Sequence, residues 1–320
     1  MLMLLLIGVL VGCAEKYKED EGMLTDNAPS EKNRNNIEDT AWPRTYVDAL
    51  GKEIIIDKKP GNIASLWYFY PEIFVALGKE LSASSEVEYL SSLSYLQGKL
   101  DGVVELGNKM EPNMETLLTT QPDFILATDY HSEIYDSLEK IAPVITLSHN
   151  EIYPDWRLGL RTVAEIIGEE QKAEEVIERL LSDIKDGRET LKGLKGQKVI
   201  LIASSDGKSF YIENEVDPVY KLAFDPEVGL GLTPDTTFND AENKTTTFEG
   251  ISTVQADHIF LISDMVKGKE IMKELQQSSI WNGLTAVQKD QVYVMDTSAI
   301  TGGPLATQYA LESMLEALTK

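Results

Sequence analysis

The chain has 320 residues, enough for two domains with separate cores, and its 42% hydrophobic and 26% charged residues are the proportions of a folded soluble protein rather than a disordered one. A net charge of −24 sets up a field that repels nucleic acid and anionic lipid, which makes both poor direct partners. With a single cysteine, no disulfide can form within the chain.

Residues 1–11 are almost wholly apolar and lead into Leu10-Val11-Gly12-Cys13. The run is too short to span a bilayer, which takes about 20 residues. It resembles a bacterial lipoprotein signal in which Cys13 is lipidated and becomes the mature N-terminus, although no Lys or Arg precedes the apolar run. The anchor would hold the protein on the outer face of the cytoplasmic membrane. Residues 14–40 are polar, rich in Glu, Lys, Asp and Asn, and lack apolar periodicity, as a flexible tether does.

From Arg44 a hairpin is expected, with Tyr46-Val47-Asp48 and Glu53-Ile54-Ile55-Ile56 flanking Ala49-Leu50-Gly51-Lys52. Pro60 leads into a strand at Ile63–Leu66 and a helix at Pro71–Leu77 that Gly78 stops. Strand and helix signals alternate to Val144-Ile145-Thr146-Leu147, the pattern of a parallel or mixed sheet covered by helices. Between Asp155 and Leu194 the apolar residues recur at helical spacing, interrupted at Gly168, so that one long helix or two abutting ones fit equally. A second alternation runs from the strand Lys198–Ile202 to Val292–Met295 and closes with a helix from Pro304 to Leu318. The expected division is a signal at 1–13, a tether at 14–40, an N-terminal lobe at 41–155, a linker helix at 156–194 and a C-terminal lobe at 195–320.

One pattern occurs twice: Glu115-x-Leu117-x-x-x-Gln121-Pro122-Asp123-x-Ile125 and Glu249-x-Ile251-x-x-x-Gln255-Ala256-Asp257-x-Ile259. Each reads as a short helix that turns into a buried strand, with Asn113 and Thr247 as N-caps that put each Glu in the first helical turn. Two such units in separate halves of the chain point to two similar α/β lobes with a cleft between them. An acid in a first turn also gains from the helix dipole, by about 0.3–1 kcal/mol, and needs no further role for that.

The order and spacing of Tyr46-Val47-Asp48-Ala49-Leu50-Gly51, Pro60-x-x-Ile63-Ala64, Pro112-Asn113-Met114-Glu115, Gln121-Pro122-Asp123, Ile134-Tyr135-x-x-Leu138-x-Lys140-Ile141-Ala142-Pro143 and Trp281-Asn282-x-Leu284-x-Ala286-Val287 resemble the substrate-binding proteins of bacterial ferric-siderophore and cobalamin ABC importers. The resemblance covers nearly everything from Tyr46 onward. It implies an α/β fold of two Rossmann-like lobes joined by a long α-helix, with the ligand cleft between them. It also implies a ferric siderophore as ligand, an ABC permease dimer with its ATPase as partner, and Glu115 and Glu249 as acids that dock onto permease arginines.

Ligand contacts are expected at strand ends and the loops after them. Trp67-Tyr68-Phe69-Tyr70 is the densest aromatic cluster, and four aromatics cannot all face one core, so at least one is expected at the cleft; the resemblance to hydroxamate binders implies Tyr68, with burial of all four as the alternative. The resemblance places Lys109, Tyr130 and His131 where relatives contact the chelate. For Lys109 the alternative is a solvated lysine, and for His131 a hydrogen-bonded loop residue. Arg157 and Tyr211 are further candidates, Arg157 being one of only six arginines. The second lobe lacks the tryptophan or arginine that relatives often carry near Phe210-Tyr211 and Ala299–Gly303, which argues against a strongly anionic ligand such as a bare tricatecholate. No cofactor is expected, and the three scattered histidines do not form a metal site. There is no nucleophile elbow and no Gly-rich phosphate loop, so an enzyme is not expected. Haem or cobalamin binding is the alternative within the same fold, and a membrane-tethered hydrolase is the less favoured one.

Overall fold

The computed structural model describes residues 42–238 and 244–320, of which Trp42–Lys320 form one compact unit. Cys13 and the 14–40 segment lie outside the described residues. The chain enters through a two-stranded hairpin, β1 (Arg44–Val47) and β2 (Glu53–Ile56), paired antiparallel. Its turn is held by the buried Asp48, whose carboxylate accepts the N–H groups of Leu50 and Lys52 at 2.9 Å each and of Thr146 at 3.2 Å. One acid thus shapes the hairpin and ties it to the first lobe.

The N-terminal lobe is built on a five-stranded parallel sheet. Its strands are β3 (Ile63–Ser65), β4 (Ala83–Ser84), β5 (Val104–Glu105), β6 (Phe124–Thr128) and β7 (Val144–Leu147), in the spatial order β5-β4-β3-β6-β7. Strands β3, β6 and β7 are buried along their whole length, which explains their continuous apolar runs. The chain winds outward from β3 in one direction through β4 and β5, then in the other through β6 and β7. The β3/β6 pair is therefore the topological switch point, where α/β sheets bind ligands.

The C-terminal lobe repeats this plan with additions. Strands β8 (Lys198–Ala203), β9 (Ser209–Ile212), β10 (Thr233–Pro234), β11 (Thr245–Thr247), β12 (His258–Ile262) and β13 (Val292–Met295) form one mixed sheet in the order β11-β9-β8-β12-β13. Strands β8, β12 and β13 are parallel, and β9 runs antiparallel to β8. The short β10 pairs with the first two residues of β8.

The repeated aspartates have the same structural task in both lobes. Asp123, just before β6, accepts the N–H groups of Gly61 and Asn62 at 2.8 and 2.9 Å, immediately ahead of β3. Asp257, just before β12, accepts the N–H of Lys198 at the start of β8 at 3.0 Å and the Lys289 ammonium at 3.0 Å. Those bonds hold both carboxyls below their ordinary range, with the backbone N–H groups as the leading cause. Each lobe is thus clamped at the strand starts, the end opposite the cleft.

The segment 156–194 is two helices rather than one: Trp156–Ile167, closed by Gly168 at φ +72°, and the 21-residue Glu170–Thr190. Gly168 takes up the left-handed conformation that ends the first helix. The second spans roughly 32 Å at 1.5 Å per residue and delivers the chain to β8.

The lobes share one apolar core, in which Ile73, Phe74, Leu160, Val163 and Leu180 meet Val219, Leu222, Leu311 and Met314. At its edge lies the buried Glu72, on the helix Tyr70–Leu77 of the first lobe. Its two oxygens accept the N–H groups of Gly303 at 2.6 Å and Ala306 at 3.0 Å, at the start of the closing helix Pro304–Leu318. A Cβ on Gly303 would stand 2.1 Å from the carboxylate, so only glycine admits the contact. Burial pushes the Glu72 carboxyl up to about 7, against the opposing pull of the two N–H groups.

Glu72→Gln would put an amide NH2 against one of those donors and should lower stability by about 1–3 kcal/mol, the cost of an unsatisfied buried group, measured by urea unfolding. Because the folded carboxyl titrates above its ordinary value of 4.5, its favourable contribution is complete below that pH and lost as pH rises through about 7. The gap between wild type and variant should therefore be larger at pH 5 than at pH 8, and a gap independent of pH would contradict this account.

Candidate functional site

The C-terminal ends of the first lobe's strands carry a patch of rings. Of the four consecutive aromatics, Trp67, Phe69 and Tyr70 are buried and only Tyr68 is half-exposed. Phe69 and Tyr70 belong to the core. Trp67 lies with its ring centre 5.2 Å from Tyr68, 5.3 Å from Tyr130 and 5.1 Å from His149, and His149 stacks on Tyr153 at 4.8 Å. These residues follow β3, β6 and β7, so the group forms at the switch point. Such a wall offers apolar faces and hydroxyl edges to a bulky ligand.

Lys109 joins this group, its Nζ 5.3 Å from the centre of the Tyr68 ring and 5.9 Å from that of Trp67. Its ammonium also stands 3.6 Å from the Glu86 carboxylate. His131 lies beneath the wall rather than on it. It is buried, its Nδ1 accepts the N–H of Thr128 at 3.0 Å, and its Nε2 meets the Lys109 carbonyl at 2.7 Å. An Nδ1 that accepts fixes the tautomer with the proton on Nε2, which then donates to Lys109. His131 therefore steadies the loop that carries Lys109, and both ring nitrogens are engaged in doing so. Burial pulls the His131 and His149 rings below the usual histidine value, so both are neutral at pH 7.

Arg157 stands apart from the rings. Its Nε and Nη2 each donate at 2.7 Å to the Asp155 carboxylate, which also caps the helix that Arg157 enters. The fork of donors is thereby closed on a neighbour two residues away.

On the second lobe, Tyr211 donates to Asp217 at 3.0 Å and accepts from Asn214 at 2.7 Å. Behind it the buried Glu213 and the half-buried Asp217 form a carboxyl pair whose titration burial pushes upward in both members. Tyr211 also lines a cleft of about 640 Å³ at the C-terminal ends of β8, β12 and β13, closed from the first lobe by Tyr89, Ser92 and Leu93. Burial holds the Tyr68 hydroxyl up at about 12. Tyr153 crosses between the lobes, donating to the Ile300 carbonyl at 2.9 Å. Among the described residues, no group of three or more His, Cys, Asp or Glu side chains is arranged to hold a metal ion.

Glu115 and Glu249 are both exposed, in the first turns of Met114–Thr120 and Phe248–Ile251, after the N-caps Asn113 and Thr247. Each helix runs back against the strand direction, which puts its first turn at the cleft end of its lobe. The second copy is a single turn, shorter than the first.

The family model for periplasmic binding proteins matches residues 63–299. The chain belongs to the periplasmic binding protein family. Two curated relatives of this binding protein come from Bacillus subtilis (strain 168). The Iron-uptake system-binding protein is 27% identical over 205 residues, 62% of this chain and 63% of its own length. The Iron(3+)-hydroxamate-binding protein FhuD is 25% identical over 327 residues, 99% of this chain and 96% of its own. The chain thus spans just under two thirds of one relative and nearly all of the other. Among solved structures, the triscatecholate siderophore binding protein FeuA from Bacillus subtilis, complexed with Ferri-Bacillibactin, superposes with a TM-score of 0.71 at 23% identity, covering 86% of this chain and 98% of that one. This likeness establishes the two-lobed fold.

Trp67, His149 and Tyr153 are site residues that the sequence reading missed. His149 and Tyr153 follow β7, and the strand-end rule that singled out Tyr130 after β6 applies to them equally. Removing the ring in His131→Ala should cost about 1–3 kcal/mol by stranding the Thr128 amide and the Lys109 carbonyl, read from urea unfolding at pH 7.5. Because the folded ring titrates below its ordinary 6.5, its contribution is present above that pH and lost as pH falls below it, so the cost should shrink at pH 5.

Proposed function

We propose that this binding protein is an extracytoplasmic receptor that captures a ferric siderophore between its lobes and delivers it to an ABC permease, without chemistry of its own. The observation that carries this reading is the ring-and-lysine wall at the switch point of the first lobe, together with the cleft that Tyr211 lines at the strand ends of the second. A broad, partly apolar wall suits a bulky chelate whose organic shell meets the protein while the chelator holds the iron. The curated relatives named for iron uptake and ferric hydroxamate support the choice of cargo, and relatives named as lipoproteins support an anchor at Cys13.

Tyr68, Lys109 and Tyr130 are the proposed ligand contacts on one wall and Tyr211 on the other. His131 and Arg157 act indirectly, through Lys109 and Asp155. Glu115 and Glu249 are the proposed docking acids: exposed, capped alike, and one on each lobe, as a two-fold permease requires of a pseudo-symmetric partner.

Titration of tryptophan fluorescence with ferric hydroxamates, ferric citrate, ferric catecholates, haem and cobalamin should give saturable quenching by at least one ferric chelate. Lys109→Ala and Tyr68→Ala should each weaken it by about 1–3 kcal/mol. Quenching by haem or cobalamin alone would reassign the cargo. The double variant Glu115→Gln, Glu249→Gln should keep its fold and ligand affinity yet lose uptake in cells, because truncating one partner of a charged contact typically costs about 2–5 kcal/mol and two are removed together. Normal uptake by that variant would reduce both residues to acids at helix starts.

A further inference from the structure

The charge of the cleft restricts which ferric chelates it accepts. Each parallel strand of the second lobe ends within three residues of an aspartate: Asp206 after β8, Asp264 after β12 and Asp296 after β13. All three line the same cleft of about 640 Å³. In each, Oδ1 accepts backbone N–H groups of its own turn. Asp206 receives Lys208 and Ser209 at 2.9 and 3.0 Å, Asp264 receives Val266 and Lys267 at 3.1 and 3.0 Å, and Asp296 receives Ser298 at 2.9 Å. Aspartate caps of this kind are ordinary starts of turns and helices. Their convergence on one cleft is what creates a field. Among the described residues Lys267 is the only cation lining it, so three carboxylates face one ammonium.

The neighbouring surfaces do not reverse that sign. The Glu213–Asp217 pair stands behind Tyr211 and supplies no positive charge in any protonation state. Beyond the cleft lining, on the first lobe, Lys109 is matched by Glu86 at 3.6 Å and Arg157 is paired with Asp155. The faces of Trp67, Tyr68 and Tyr130 are the negative ends of ring quadrupoles and attract cations. A ferric ion bound by three catecholates is a trianion, and against three aspartates the described residues of the cleft offer it only Lys267, with Lys109 already matched by Glu86. Bound by three hydroxamates it is neutral, and a chelator ending in a protonated amine makes the complex a cation.

Building on the reading of the cleft as a ferric-chelate site, we propose that it selects by charge: it takes a neutral or cationic chelate of the hydroxamate class, with a protonated amine directed to the aspartate wall, and rejects polyanionic chelates. At about 9 Å and an effective dielectric of about 40, each carboxylate changes the affinity for a unit charge by roughly fivefold.

Three probes test this in fluorescence titrations of the intact protein: the iron(III) complex of a linear tris-hydroxamate ending in a primary amine, the same complex with that amine acetylated, and an iron(III) tris-catecholate. At low salt the amine complex should bind about fivefold or more tighter than the acetylated one, and the tris-catecholate more than about tenfold weaker than either. Raising the salt should narrow the first gap. So should the double variant Asp264→Asn, Asp296→Asn, since asparagine keeps both caps and removes both charges; thermal melting confirms that it is folded. Tris-catecholate binding as tight as that of the acetylated complex, or an amine preference indifferent to both salt and the variant, would overturn selection by charge and leave the ferric-chelate reading standing. Saturable binding of none of the three would overturn both.

Discussion

A single carboxylate holds the two lobes in register. Glu72 leaves the first lobe, enters the shared core and receives the first free amides of the last helix, where the helix dipole and two N–H groups offset part of the cost of burying the charge. Around it the Tyr95 hydroxyl meets Thr301, and Tyr153 reaches the Ile300 carbonyl. The segment 300–306 is thereby the seam along which the lobes are fastened. The cleft walls owe their spacing to that seam and to the shared core behind it, since Asp123 and Asp257 tie strands only within their own lobes.

The separation of tasks between the two ends of each lobe follows from parallel sheets. All strand starts in such a sheet lie on one side, where turns must be tied down, and all strand ends on the other, where loops are free to diverge. Both lobes use an aspartate at the same position for the first task. For the second they differ: the first lobe presents rings and a lysine, the second hydroxyls and aspartates.

Much of this was legible in the sequence. The hairpin around Gly51, the buried strands ending at Thr128 and Ile262, and the caps Asn113 and Thr247 depend on local patterns, and they stand where those patterns put them. The interruption at Gly168 was visible, but its consequence, two helices instead of one, depended on how the segment packs. Residues joined across long separations were harder. Glu72 reads as an ordinary acid in a first helical turn, and nothing local announces partners 231 residues away. His131 occupies the position of a ligand contact, yet its ring turns inward because Thr128 and Lys109 offer it two partners there. Arg157 is a candidate cleft cation whose Nε and Nη2 are held by Asp155, two residues earlier, a pairing that the sequence alone does not announce.

The Glu170–Thr190 helix limits how the molecule can move. Large hinge motions need a few residues free to rotate about φ and ψ, and between Trp156 and Thr190 only the short turn at Gly168 and Glu169 is not helical. With a stiff strut between them and a buried seam at the other edge, the lobes are limited to small sliding or rocking displacements. The outline shown to any partner then changes little between empty and loaded forms. A partner that must tell them apart is left with the filled mouth of the cleft, or with displacements of a size that only a contact on each lobe at once would register.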